Sequence, residues 1–227
     1  MNHKIILLLL LSAPLSMPLS LFAQNLPVRE WAAASHDKPF IFYISGDGGL
    51  NKYSTDLCIA LNKAGYEVSA LNARTYFWNK KTPEKAATDV NNFLSKKLAG
   101  RKNQQFVFIG YSFGADVLPF IMNRLSKNIH KDLRVSFIMA SSGSTDFEVH
   151  WSDILGQSKT RSMDVVSEMN KLVEDNIVVV TASDEHTLDL KNISLKKYTH
   201  EILPGGHHFD GDTEEVASVV LRHINWQ

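Results

Sequence analysis

Cysteine is all but missing from this sequence: Cys58 stands alone among 227 residues. One thiol closes no internal disulfide, so a small fold stapled by disulfides is excluded, and Cys58 reads as a buried, small apolar group. Charge of one sign is not in excess either, with 24 Lys and Arg against 24 Asp and Glu. Without a basic surplus there is no electrostatic footprint for tracking phosphates, which argues against a nucleic-acid partner. No apolar run approaches the roughly 20 uninterrupted residues that span a bilayer. Repeats and low-complexity tracts are absent as well. What remains, 44% apolar and 21% charged, is the composition of an ordinary globular chain, and its length suits one domain.

The first residues stand apart from that domain. Lys4 precedes the apolar run Ile5 to Leu11, which gives way to a stretch broken by Pro14 and Pro18 and ending in Leu-Phe-Ala, with no acid anywhere. A positive end, a short apolar core and a small residue before the cut form the layout of a secretory signal. The sequence therefore predicts a leader over 1–23, cleavage after Ala23, and a single exported domain over 24–227. No cysteine follows the apolar run to accept a lipid.

Beyond the leader, short apolar runs alternate with helical patterns. Phe40 to Ile44, Val68 to Leu71, Phe106 to Ile109, Val135 to Met139 and Ile177 to Val180 are rich in β-branched and aromatic residues and nearly continuous, as strands buried on both faces require. Tyr198 to Leu203 reads as a last strand. Thr82 and Pro83 form a cap and first turn, Ala86, Val90, Phe93, Leu94 and Leu98 share one face, and Gly100 stops the helix. Asp212 and Glu215 have capping-box spacing ahead of Val216, Val220 and Ile224. This alternation predicts an α/β fold, a mostly parallel sheet with helices on both faces. Its ligands would sit beyond the carboxyl ends of the strands. The irregular stretch of about 141–162 is long enough for a small lid at most.

The chemistry begins at Gly110-Tyr-Ser112-Phe-Gly114. An apolar strand runs into this Gly-x-Ser-x-Gly and an apolar helix pattern follows, the strand-turn-helix setting of a nucleophile elbow and hence of an α/β-hydrolase. A serine hydroxyl needs a base to take its proton, and the base needs an orienting carboxylate, in the chain order Ser, acid, His. Asp184 and Glu185 follow the strand Ile177 to Val180. Glu185, three residues past Ala182, is preferred, with Asp184 as its rival. His207 and His208 follow the last strand, and His207, directly after Gly205 and Gly206, is preferred. As a metal site, His207, His208 and Asp210 lack further ligands, so neither metal nor cofactor is expected.

An oxyanion needs two N–H donors. Phe113, after the nucleophile, is one candidate, and Asp47 or Gly48 in the glycine-rich loop after Phe40 to Ile44 is the other. That loop lacks the Gly-Lys-Ser/Thr ending of a phosphate cradle.

Ser45-Gly-Asp-Gly-Gly49, Arg74-Thr-Tyr-Phe-Trp78, Gly110 through Pro119, Asn123-Arg-Leu125, Asp146-Phe-Glu148 and Pro204 through Asp212 together resemble the bacterial virulence protein AcvB/VirJ family. The resemblance covers most of the mature chain. It implies an exported, periplasmic α/β-hydrolase acting on the aminoacyl ester of lysyl-phosphatidylglycerol at the membrane surface. Some members are also linked to type IV secretion, which makes secretion components a second class of partner. One position departs from the family, with Thr181-Ala182 where an aromatic-glycine pair is usual before the acid loop. A lysyl ester carries ammonium groups, for which Asp47, Asp116, Asp210 and Asp212 are the candidate receivers. Tyr76, with Phe77 and Trp78, is a candidate lining of the lipid entrance, and Trp151 and Leu155 are candidates for dipping into a bilayer.

Overall fold

The computed structural model describes residues 26–150, 160–173 and 176–225. The expected leader, Trp151 and Leu155 lie outside the described residues. In chain order the elements are β1 (Val28–Trp31), β2 (Phe40–Ile44), α1 (Lys52–Lys63), β3 (Val68–Leu71), α2 (Ala73–Tyr76), α3 (Pro83–Leu98), β4 (Phe106–Tyr111), α4 (Phe113–Met122), α5 (Lys127–His130), β5 (Leu133–Met139), β6 (Ser144–Thr145), β7 (Met163–Asp164), α6 (Val165–Met169), β8 (Ile177–Ala182), β9 (Thr199–Leu203) and α7 (Thr213–Asn225).

Seven strands form one sheet in the order β1-β3-β2-β4-β5-β8-β9, and only β1 runs antiparallel. Every residue of β2, β3 and β4 is buried, because helices cover both sides of the sheet. Strand alternation sends Phe40, Phe42, Ile44, Phe106 and Phe108 towards α3, α4 and α6. Ile41, Tyr43, Val107 and Ile109 face the other way, into the core shared with α1 and α7. Cys58 is fully buried on that second side, and burial raises its thiol pKa well above the ordinary range.

Local chemistry sets the helix boundaries. The Thr82 hydroxyl accepts from the Lys85 N–H at 3.1 Å with Pro83 at the first helical position, and Gly100, at φ +75°, turns the chain away after α3. Asp212 accepts from the Glu215 N–H at 2.9 Å to open α7. Both caps satisfy N–H groups that a helix start leaves without acceptors.

The register places the site. Phe40 lies beside Phe106 and Ile44 beside Gly110, while Ala182 pairs with Leu203. The segments after β2, β4, β5, β8 and β9 therefore gather at one end of the sheet. The described part of the 141–162 stretch includes β6, which pairs antiparallel with β7 as Ser144 to Asp164 and Thr145 to Met163. Beyond β6 the chain is tied down. The Lys81 N–H donates to the Phe147 carbonyl at 3.0 Å and the Val149 N–H to the Phe77 carbonyl at 2.9 Å, so 145–150 forms a fixed wall.

At the opposite end of the strands a charge network fills the base. Arg101 pairs with Glu67, and the Lys97 ammonium lies 2.8 Å from both Glu67 and Glu30. Among the described residues no helix is long and apolar enough to cross a membrane.

Candidate active site

Ser112 alone turns strand β4 into helix α4, with φ 54° and ψ −123°. A residue with a Cβ adopts this region only under constraint. The constraint is visible in the flanking glycines. A Cβ on Gly110 would lie 2.5 Å from the Gly114 carbonyl oxygen, and one on Gly114 would lie 2.2 Å from that of Ile44. Only hydrogen fits at either position. The Ser112 N–H donates to the Met139 carbonyl at 2.8 Å, and the Ser112 carbonyl accepts from Ala115 and Asp116, which locks the turn.

The serine Oγ lies 2.7 Å from His207 Nε2. On the far side of the ring, Nδ1 lies 2.9 Å from both Glu185 oxygens. A carboxylate only accepts, so Nδ1 carries the proton and Nε2 presents its lone pair to the serine hydroxyl. Asp184 is elsewhere: its side chain is exposed and accepts from the Ser183 hydroxyl at 2.7 Å. The structure thus brings Glu185, and not Asp184, to the histidine.

His207 reaches this place because Gly205 adopts φ +86°, where a Cβ would meet the Asp210 carboxylate at 2.0 Å. The Tyr111 hydroxyl donates to the His207 carbonyl at 3.0 Å and steadies the loop. His208 points its ring at Tyr53 and Tyr111, with centroids 5.6 and 6.1 Å away. Burial, and then the neighbouring His207, lower the His208 pKa.

The loop after β2 closes on the serine from the opposite side. A Cβ on Gly46 would lie 3.2 Å from Ser112 Cβ and 3.5 Å from its Oγ, so this backbone passes in contact with the nucleophile's side chain. Of the two N–H groups the sequence offers here, that of Gly48 donates to the Asp47 carboxylate at 2.7 Å. Among the described residues no such acceptor occupies the Asp47 N–H, which leaves it as the candidate donor of this loop. Phe113 is the first residue of α4, where an N–H has no acceptor within the helix.

These groups line a cleft of about 500 Å³. Asp47, Gly48, Ser112, Phe113, Glu185 and His207 form one part of it, and Ser144, Thr145, Asp146, Glu148 and Arg161 the facing part. Five sequence expectations for substrate contact need correction. Asp116 borders the cleft, yet it is buried and its carboxylate is occupied, accepting from the Ser141 hydroxyl at 2.6 Å and from the Ser142 N–H and hydroxyl at 2.8 and 2.6 Å. Burial raises its pKa to about 6 against the pull of those bonds. Asp210 is exposed and packed against Gly205, outside the cleft lining. Tyr76 is buried beside Phe77 with its hydroxyl donating to Asp89 at 2.7 Å. Phe77 is itself core, against Phe113 and Phe147, and of that trio only Trp78 is exposed. Asp212 is the cap of α7.

Sequence reasoning gave no role to Asp146, Glu148 and His150. Their potential ligand atoms lie within 4.8 Å of one another, the one such grouping found among the described residues able to hold a metal ion. The signal was the polar-apolar alternation Asp-Phe-Glu-Val-His, which becomes an alternation of half-buried and buried residues.

Residues 37–227 match the model of the bacterial virulence protein (VirJ) family, and the chain belongs to that family. No curated protein matches it. Solved structures share its fold at low identity. VinJ is 12% identical with a TM-score of 0.62, over 87% of this chain and 93% of that one. Est1E from Butyrivibrio proteoclasticus is 12% identical with a TM-score of 0.60, over 89% and 97%. The naproxen esterase (carboxylesterase NP) from Bacillus subtilis is 15% identical with a TM-score of 0.56, over 89% of each chain. The fold is that of the α/β-hydrolases.

Proposed function

We propose that this member of the VirJ family is a serine esterase whose substrate is the aminoacyl ester of lysyl-phosphatidylglycerol. The reading is carried by one observation, the continuous chain from Ser112 Oγ through His207 to Glu185. Ser112 attacks the ester carbonyl as His207 Nε2 takes its proton, and Glu185 stabilises the imidazolium that results. The N–H groups of Asp47 and Phe113 receive the oxyanion. His207 then protonates the departing glycerol oxygen. Water, deprotonated by the same imidazole, attacks the acyl-serine and releases the amino acid. Every step uses side chains and backbone already in place.

The lipid substrate, the membrane surface and the periplasmic location are supported by the AcvB/VirJ resemblance and by the leader-like residues 1–23. The acid-lined cleft fits a cationic acyl group. The deciding experiment presents the mature chain, Gln24 to Gln227, with vesicles containing lysyl-phosphatidylglycerol and follows free lysine. The expected result is rapid release, reduced at least about a thousandfold in Ser112→Ala, with a fluorophosphonate labelling the wild type once and the variant not at all. Release no faster from wild type than from Ser112→Ala, with no labelling, would leave a hydrolase scaffold used for binding, as an accessory to type IV secretion would use it.

A further inference from the structure

Five carboxylates border the cleft, and three are already engaged. Glu185 is held by His207, Asp116 by Ser141 and Ser142, and Asp47 turns one oxygen back onto the Gly48 N–H. The remaining two sit together on the facing wall. Asp146 bonds His150 Nε2 at 2.8 Å through Oδ2, while its Oδ1 is buried and has no hydrogen-bond partner. Glu148 is half-buried and, among the described residues, its carboxylate has no hydrogen-bonding or ion-pair partner. A carboxylate oxygen withdrawn from water without a donor is unfavourable, and a second carboxylate a few ångströms away adds repulsion. A cation with several N–H donors set between the two carboxylates relieves that repulsion.

We infer that Asp146 and Glu148 are the specificity-determining pair of this cleft and receive the side-chain ammonium of the substrate's aminoacyl group. The inference rests on the aminoacyl-esterase reading above. It moves cation recognition from the catalytic loops to the wall at 145–150, which is held by the hydrogen bonds between Phe77, Lys81, Phe147 and Val149. The triad handles the ester. The wall selects the residue it carries. Asp146 is kept in position by His150, and Glu148 follows two residues later, on the same side of the wall, so an ammonium between them meets two carboxylates at once.

The test compares lysyl-phosphatidylglycerol with its norleucyl analogue, which has the same side-chain carbons but no terminal ammonium. Both are presented in vesicles with a large excess of phosphatidylglycerol, so the surface charge is the same. Wild type is expected to favour the lysyl lipid in kcat/KM. Glu148→Gln and Asp146→Asn should each lower the lysyl-to-norleucyl ratio about tenfold, with norleucyl turnover in the same samples reporting an intact triad. A ratio unchanged in both variants, or near one in wild type, would overturn the inference and leave the esterase reading standing. Hydrolysis of neither lipid would remove both. Repeating the comparison with EDTA and then with added Zn²⁺ separates a third outcome. A preference lost on chelation and restored by zinc would make Asp146, Glu148 and His150 a metal site and overturn the ammonium assignment.

Discussion

Ser112 keeps a positive φ because Gly110 and Gly114 leave its backbone no other path between Ile44 and Met139. The conformation thrusts the hydroxyl out of the sheet and towards His207. Asp184 and Glu185, adjacent in sequence, have different surroundings: one accepts from Ser183 in solvent, and the other grips the imidazole with both oxygens. Replacing Glu185 by Gln is expected to lower kcat by roughly 10⁴, because an amide does not enforce the Nδ1–H tautomer. Asp184→Asn should change kcat less than about threefold. Steady-state kinetics on one ester decides, and the reverse ranking would contradict the geometry. Adjacency in the chain is why the sequence left this choice open. The nucleophile was legible because Gly-x-Ser-x-Gly states a backbone requirement, whereas the spacing from Ala182 ranks Glu185 over Asp184 without excluding it, and the turn after β8 decides between them. Tyr76 was misread for a related reason. It follows a strand towards the cleft, but α2 rotates its hydroxyl onto Asp89 in α3.

Among the elements, α4 does more than carry the serine. Its first turn holds Asp116, which collects three hydrogen bonds from the segment after β5 and so ties the elbow to the strand β6 that begins the facing wall. The folded carboxyl has a pKa near 6 against an ordinary 3.8, so between those values the folded protein binds more protons than the unfolded chain. Stability from this group is therefore complete below the ordinary value and is lost as pH rises through the folded one. The unfolding free energy of wild type relative to Asp116→Asn should fall by on the order of 2–3 kcal/mol between pH 3.5 and 7, read from urea melts across that range. A flat difference would mean that the Asp116 carboxyl titrates alike in the folded and unfolded chain, its hydrogen bonds cancelling the effect of burial. Elements of this kind were unevenly readable. The runs Phe40 to Ile44 and Val68 to Leu71 matched β2 and β3 residue for residue, since a strand buried on both faces is nearly continuously apolar, with the one polar side chain, Ser69, donating its hydroxyl to Glu30. The edge strand β1, four residues with an exposed middle, has no such pattern. β6 and β7, two residues each, are defined only by their pairing with each other.

Over the whole molecule, two polar constructions occupy opposite ends of one sheet. The triad stands at the carboxyl ends of the strands, and the network of Glu67, Arg101, Lys97 and Glu30 stands at the other. Glu67 and Arg101 are nearly inaccessible to solvent, so Glu67→Ala strands a buried guanidinium. A loss of about 3–5 kcal/mol in unfolding free energy is expected, with kcat at 25 °C unchanged, because the cleft is a sheet's length away. Chemical denaturation alongside kinetics measures both, and a fall in kcat with stability intact would contradict this division. The strand order has one more consequence. Ser112 directly follows β4, which is flanked by β2 and β5, whereas His207 follows β9, which pairs with β8 alone and exposes Ile202 on its outer reach. The reacting pair therefore joins the most firmly seated strand to one of the least, like a key fixed in a wall and a lock hung on the door. Fraying that begins at the free edge carries the imidazole off while the serine stays put, so the protein forgets its chemistry before it forgets its shape.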